Sequence, residues 1–148
     1  MGRLKVLTAA GFTLLELVVT LMVMALAVAL VGPAIGRGTD GIRVRAEVAR
    51  FAALLRYARE QAITSRSTHL LLVEPEAHRV RLITGDEVRQ TRALPADMTV
   101  VAEPPPALSV RFEPEGTSTG GFFRLASGRI RYRVTVDRLT GRVRAERE

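Results

Sequence analysis

The sequence predicts an α+β fold in which one long N-terminal helix packs on an antiparallel β-sheet head. Three features of the 148 residues predict it. No charge interrupts residues 17–36, apolar residues then recur at helical spacing as far as Ala62, and after Ser67 short β-favouring runs alternate with turn residues. With a membrane segment subtracted, about a hundred residues remain, enough for one small core.

The first element is apolar. Twenty helical residues rising about 1.5 Å each span the roughly 30 Å hydrocarbon core of a bilayer, so residues 12–36 read as a transmembrane helix. A cleaved secretory signal fits less well, because its apolar region is about 7 to 15 residues long and ends at a small-residue cleavage site. Arg3 and Lys5 precede the run, and the positive-inside bias places the N-terminus in the cytoplasm and everything beyond Gly36 across the membrane. Arg37, Arg43 and Arg45 act against that bias. Glu16 is the anomaly, since a carboxylate inside such a helix is costly unless it sits at the interface or finds a partner. Either it rests among headgroups, favoured by the N-terminal dipole, or it has a function.

Gly32 and Pro33 predict a kink or short break, because proline removes a backbone donor and disfavours helical geometry in the residue before it. Past Gly36, Gly38 and Gly41, the residues Val44, Val48, Phe51, Leu55, Ala58 and Ala62 step by four, three, four, three and four, an apolar stripe on a second helical stretch, residues 37–66. Arg45, Arg50, Arg56 and Arg59, with Glu47, Glu60 and Gln61, complete its wet face, and the stripe is expected to lie on one face of the head's own sheet. The expected strands are residues 68–73, 80–83, 98–101, 108–112, 122–125, 130–136 and 142–145. Between them stand Glu74-Pro75, Gly85-Asp86, Pro104-Pro105-Pro106, Glu115-Gly116, Gly120-Gly121, Ser127-Gly128 and Thr140-Gly141.

Charge and composition exclude several function classes. There is no cysteine, hence no disulfide framework, thiolate metal site or thiol redox chemistry. His69 and His78 have no matching ligands nearby and read as surface or strand residues, so neither a metal nor a cofactor is expected. There is no phosphate-cradling glycine loop and no Ser-His-Asp arrangement, so the chain is not expected to be an enzyme. Of 22 basic residues only Lys5 is a lysine, the usage expected of a GC-rich genome, and the net charge is +7. Residues 129–148 hold seven arginines against three acids. Such a tail is either a solvated strand face or a surface that attracts phosphate or acidic protein.

Ala10-Gly11-Phe12-Thr13-Leu14-Leu15-Glu16-Leu17 resembles the type IV prepilin signature, a Gly-Phe-Thr-Leu-x-Glu-type junction before an apolar helix. In that family a membrane-embedded aspartyl prepilin peptidase cuts after the glycine and methylates the new amine. The resemblance therefore implies a leader of residues 1–11, cleavage between Gly11 and Phe12, methylation of Phe12, and an assembly role for Glu16 as fifth residue of the mature chain. In a bundle of helices that carboxylate can neutralise a neighbour's N-terminal ammonium, a pairing that low dielectric strengthens and desolvation opposes.

The head carries a second resemblance. Phe112-Glu113-Pro114-Glu115-Gly116 through Gly120-Gly121, then Val134-Thr135-Val136-Asp137 and Leu139-Thr140-Gly141-Arg142-Val143, is similar to the H-type minor pseudopilins of type II secretion, a group that includes the FimT-type minor pilins. This implies a pilin-like fold with residues 67–148 as a periplasmic head. It further implies single-pass insertion in the inner membrane and assembly with other pseudopilins or minor pilins near the tip of a pseudopilus that supports protein export. Gly-Arg-x-Arg occurs twice, at Gly128-Arg129-Ile130-Arg131 and Gly141-Arg142-Val143-Arg144. On strands, each copy would place both arginines on one face, where they are able to hold duplex DNA phosphates. FimT-type pilins that assist DNA uptake are thought to use such a motif, which makes DNA capture the alternative role. Tyr132 is the one aromatic among these arginines, too little for stacking single strands.

Overall fold

The computed structural model describes residues 12–103 and 108–148, and of residues 30–39 the backbone alone. One helix, α1 (Leu14–Ser65), precedes eight strands: β1 (His69–Glu74), β2 (Arg79–Thr84), β3 (Glu87–Ala93), β4 (Thr99–Glu103), β5 (Ser109–Phe112), β6 (Gly121–Ser127), β7 (Ile130–Val136) and β8 (Val143–Arg147). The chain divides into two compact units, Met1–Asp40 and Gly41–Glu148.

In the first unit the apolar residues from Phe12 to Val28 are exposed. Among the described residues no helix is long and apolar enough to cross a membrane; residues 30–36 of the expected span lie outside those whose side chains are described. The break expected at Gly32-Pro33 is absent, and helix continues through both residues. Proline's fixed φ is itself helical, so its cost is one missing donor and a local clash, which a long helix tolerates.

The second unit is organised by the α1 stripe. Val44, Val48, Phe51, Leu55, Ala58 and Ala62 are all buried, joined by Ala52 and Leu54. Burial of each large apolar side chain is worth roughly 1.5–3 kcal/mol, so this face anchors the head. Phe51 meets Phe123 of β6 edge-on, with ring centroids 5.3 Å apart at 77°. The helix ends where Arg66 takes a left-handed φ of 51° and the Ser67 N–H returns to the Ala62 carbonyl at 3.3 Å, a Schellman-type stop.

Strand side chains alternate as a pleat requires: Leu71 and Val73, Val80 and Leu82, Val100 and Ala102, Val110 and Phe112, Phe123 and Leu125, and Val134 and Val136 face one continuous core. The head departs from expectation in two ways. It contains two antiparallel four-stranded sheets, ordered β3-β2-β1-β5 and β4-β6-β7-β8, where one was expected. It also contains β3, which no apolar run announces because the strand lies at a sheet edge with nearly all its residues exposed. Its signal was the turn. Thr84 pairs with Glu87 around Gly85-Asp86, and Gly85 has φ 59°, as the first position of a two-residue II′ hairpin demands. The turn expected at Pro104-Pro105-Pro106 lies outside the described residues.

Ion pairs hold the sheets to the helix. Glu47 of α1 accepts from Arg92 of β3 at 2.8 Å and from Arg50 at 2.5 Å. Arg43 pairs with Asp97, which also accepts from Ser127 Oγ at 2.8 Å.

Candidate functional site

The expected processing site begins at Gly11, which lies outside the described residues, and continues at Phe12, which is exposed. Thr13 caps the helix: its Oγ1 accepts the Glu16 N–H at 3.2 Å, and its carbonyl accepts the Leu17 N–H, also at 3.2 Å. Thr13-Leu14-Leu15-Glu16 is thus one half of a capping box, with Glu16 at the third helical position, where the dipole favours an anion. Thr-x-x-Glu spacing was the signal for this role of Thr13. The Glu16 carboxylate makes no ion pair or hydrogen bond among the described residues.

The tail arginines divide into two groups. Arg129 sits in the two-residue turn between Ser127 and Ile130, and Arg131 follows in β7 opposite Ala126. Arg144 lies in β8 opposite Thr135, four residues further along β7 and hence about 13 Å away, with Arg142 just before that strand. The two Gly-Arg-x-Arg copies therefore stand at opposite ends of β7, and in neither do both arginines belong to a strand. Between them the sheet's outer face is neutralised: Arg124 pairs with Glu103 at 2.9 Å and Glu148 at 3.1 Å, and Arg133 pairs with Glu148 at 2.8 Å while covering the Phe122 ring at 4.7 Å.

The loop after β5 and the loop after β7 meet against α1. Ser118, buried, donates its N–H to the Arg138 carbonyl at 2.9 Å and its hydroxyl to the Asp137 carbonyl at 3.0 Å. Arg59 reaches from the helix and donates from Nε to the Thr140 carbonyl at 2.8 Å and the Gly116 carbonyl at 3.3 Å. Gly141 has φ 63°, and a Cβ on it would stand 2.5 Å from the Gly116 carbonyl oxygen and 2.9 Å from Arg59. Helical spacing puts Arg59 on the wet face of α1, but its role depends on loops about sixty and eighty residues away, which no helical periodicity reports.

Beside this junction opens a cleft of about 560 Å³ lined by Arg56, Arg59, Glu60, Ile63, Arg142 and Val143, among others. A second cavity, about 260 Å³, is lined by Thr135, Asp137, Thr140, Arg142 and Arg144. Asp137 is held below the usual carboxylate range, first by the Thr140 hydroxyl, then by the Thr140 N–H, with Arg144 adding attraction. His69 is buried in β1 with Nδ1 2.9 Å from the Ser67 carbonyl, and His78 is exposed in the β1–β2 turn. Among the described residues no three His, Asp or Glu side chains gather into a metal-binding group.

A family model described as type II transport protein GspH matches residues 47–140, from the buried half of α1 through β7 and its following loop. The chain is also 33% identical over 138 residues to type II secretion system protein H of Xanthomonas campestris pv. campestris, covering 91% of this chain and 82% of that one. The chain belongs to the GspH family, the minor pseudopilins of type II secretion. Solved structures agree on the pilin-like fold. The type IV minor pilin FimU of Pseudomonas aeruginosa superposes with a TM-score of 0.62 at 15% identity, over 73% of this chain and 91% of that one. The minor pseudopilin EpsH of Vibrio cholerae gives 0.57 at 16% identity, over 70% and 96%. The junction of Arg59, Gly116, Ser118 and Thr140 lies wholly inside the GspH match, whereas Phe12, Glu16, Arg142 and Arg144 lie outside it.

Proposed function

We propose that this GspH-family chain is cut by prepilin peptidase between Gly11 and Phe12, methylated on Phe12, held in the inner membrane by residues 12–36, and built into the periplasmic pseudopilus near its tip. Its work is structural rather than catalytic, supporting export of folded proteins across the outer membrane. The observation that carries the reading is an exposed apolar helix, Leu14 to Val28, that begins on a Thr13 cap, holds a carboxylate at Glu16 with no partner among the described residues, and leads into a head with its own core. Such a surface is stable only in lipid or against other apolar helices, and the carboxylate there needs a cation. The intact mass of the mature protein tests it: loss of residues 1–11 plus one methyl is expected, and a retained Met1 or a cut near Ala34 overturns it.

A second reading, duplex DNA capture during transformation, draws on Arg142 and Arg144, which line one cavity. Arg129 and Arg131, at the far end of β7, supply no common grip with them. A gel shift of the full chain in detergent with random duplex decides this, and no shift at low salt removes it.

A further inference from the structure

Of the nineteen arginines from Gly41 onward, eight are held by carboxylates. Arg43, Arg50, Arg79, Arg81, Arg89, Arg92, Arg124 and Arg133 each lie in an ion pair. Among the described residues, the cleft between α1 and the β7–β8 loop gathers three that do not, Arg56, Arg59 and Arg142, around one recess. Arg56 and Arg142 line it and neither has a carboxylate within ion-pair distance among the described residues, Arg56 making only a long 3.4 Å bond to the Val143 carbonyl. Arg59 is engaged by two carbonyls and serves as the wall that fixes the cleft. Arg142 also borders the adjoining cavity with Arg144, so the two cavities together carry four arginines against Glu60 and Asp137. Asp137 already accepts from the Thr140 N–H at 2.8 Å and hydroxyl at 2.7 Å. Ile63 and Val143 give the cleft an apolar lining beside its charges.

We propose that this cleft is a carboxylate-binding site, in which Arg56 and Arg142 hold an acidic side-chain segment of a neighbouring filament subunit of different sequence. The proposal rests on the pseudopilus reading for its partner, and on the cleft alone for its chemistry. Two guanidinium forks around a recess fit planar carboxylates with paired, charge-assisted hydrogen bonds. A duplex is too broad a cylinder to enter the recess, so its phosphates would meet only the exposed rim. A second copy of this chain is the wrong partner, since the excess of 22 basic over 15 acidic residues, still +5 once Arg3 and Lys5 leave with residues 1–11, makes like copies repel.

The test uses the full chain in detergent micelles and fluorescein-labelled hexaglutamate, read by anisotropy at rising salt, with hexaglutamine as control. Salt-sensitive binding of hexaglutamate alone is expected. Arg56→Gln and Arg142→Gln should each weaken it about tenfold, as loss of a charge-assisted contact does, while Arg89→Gln on the distant β3 edge leaves it unchanged. No binding, or equal weakening by Arg89→Gln, overturns the site. A short duplex that binds through Arg142 and Arg144 and displaces hexaglutamate without any need for Arg56 assigns the arginines to phosphate and also overturns it. For the partner, a photo-crosslinking residue at Thr64, which also lines the cleft, is expected to join this chain to another pilin-class subunit in cells, and attachment only to a second copy overturns that choice. A chain that binds hexaglutamate as expected but keeps residues 1–11 sustains the cleft while sinking the processing reading.

Discussion

Gly141 approaches Gly116 so closely that a Cβ on Gly141 would stand 2.5 Å from the Gly116 carbonyl oxygen. This contact, with Arg59 donating into both loops, ties the β5–β6 connection, the β7–β8 connection and α1 at one point. It shapes the wall of the arginine cleft from groups that lie far apart in sequence.

Gly141→Ala should therefore destabilise the head by more than about 2 kcal/mol, combining left-handed strain with a backbone clash. Gly85→Ala shares a positive φ but meets nothing within 4 Å, so it should cost only about 1 kcal/mol. Urea titration of both variants checks this. Equal losses would mean that strain, not contact, dominates at Gly141.

Phe51→Ala should remove roughly 3–5 kcal/mol, because the ring is fully buried and leaves a cavity. A double-mutant cycle with Phe123→Ala should show a coupling of about 0.5–1.5 kcal/mol or more, as edge-to-face rings in contact do. Strict additivity would deny the contact any energetic role.

Arg66→Gly should stabilise the protein by about 0.5–1 kcal/mol. The helix stop requires φ 51° there, which glycine adopts freely and arginine does not. The midpoint of chemical unfolding should rise without a change of slope.

Acid should unfold the head through its carboxylates. Asp137 is lowered chiefly by the Thr140 hydroxyl, Asp97 chiefly by the Ser127 hydroxyl, and Glu74 chiefly by Arg79. A carboxyl whose pKa is lower folded than unfolded adds stability above its unfolded value and loses it as pH falls through the folded value. Tm followed by circular dichroism should hold from neutrality to about pH 4 and decline below it. Asp137→Asn should flatten part of that decline while lowering Tm at neutral pH.

Glu16→Ala should leave the mature mass consistent with a normal cut, since the proposed junction is Gly11-Phe12, yet reduce incorporation into the pseudopilus. Normal incorporation, measured by co-purification with the other subunits, would return Glu16 to a headgroup-level resting place.

Periodicity made much of the architecture legible. The steps from Val44 to Ala62 identified the buried face of α1 residue by residue, because a helix buries whatever recurs at its own pitch. Strand alternation likewise located seven of the eight strands within a residue or two at most ends. Local pattern fails where burial is absent or where partners are remote: β3 is a polar edge strand known from its Gly85 turn, and the second sheet follows from pairings that a run of strands does not specify. The site divides the same way. Sequence alone determined the Gly11-Phe12 junction as a candidate, the place of Glu16 one turn into an apolar helix, and the excess of arginine in the tail. Only tertiary structure decided which arginines stand together. It separated Arg131 from Arg144 along β7, spent Arg124 and Arg133 on Glu103 and Glu148, and set Arg56 and Arg142 in one cleft with neither in an ion pair among the described residues, because charges meet by folding and not by order along the chain.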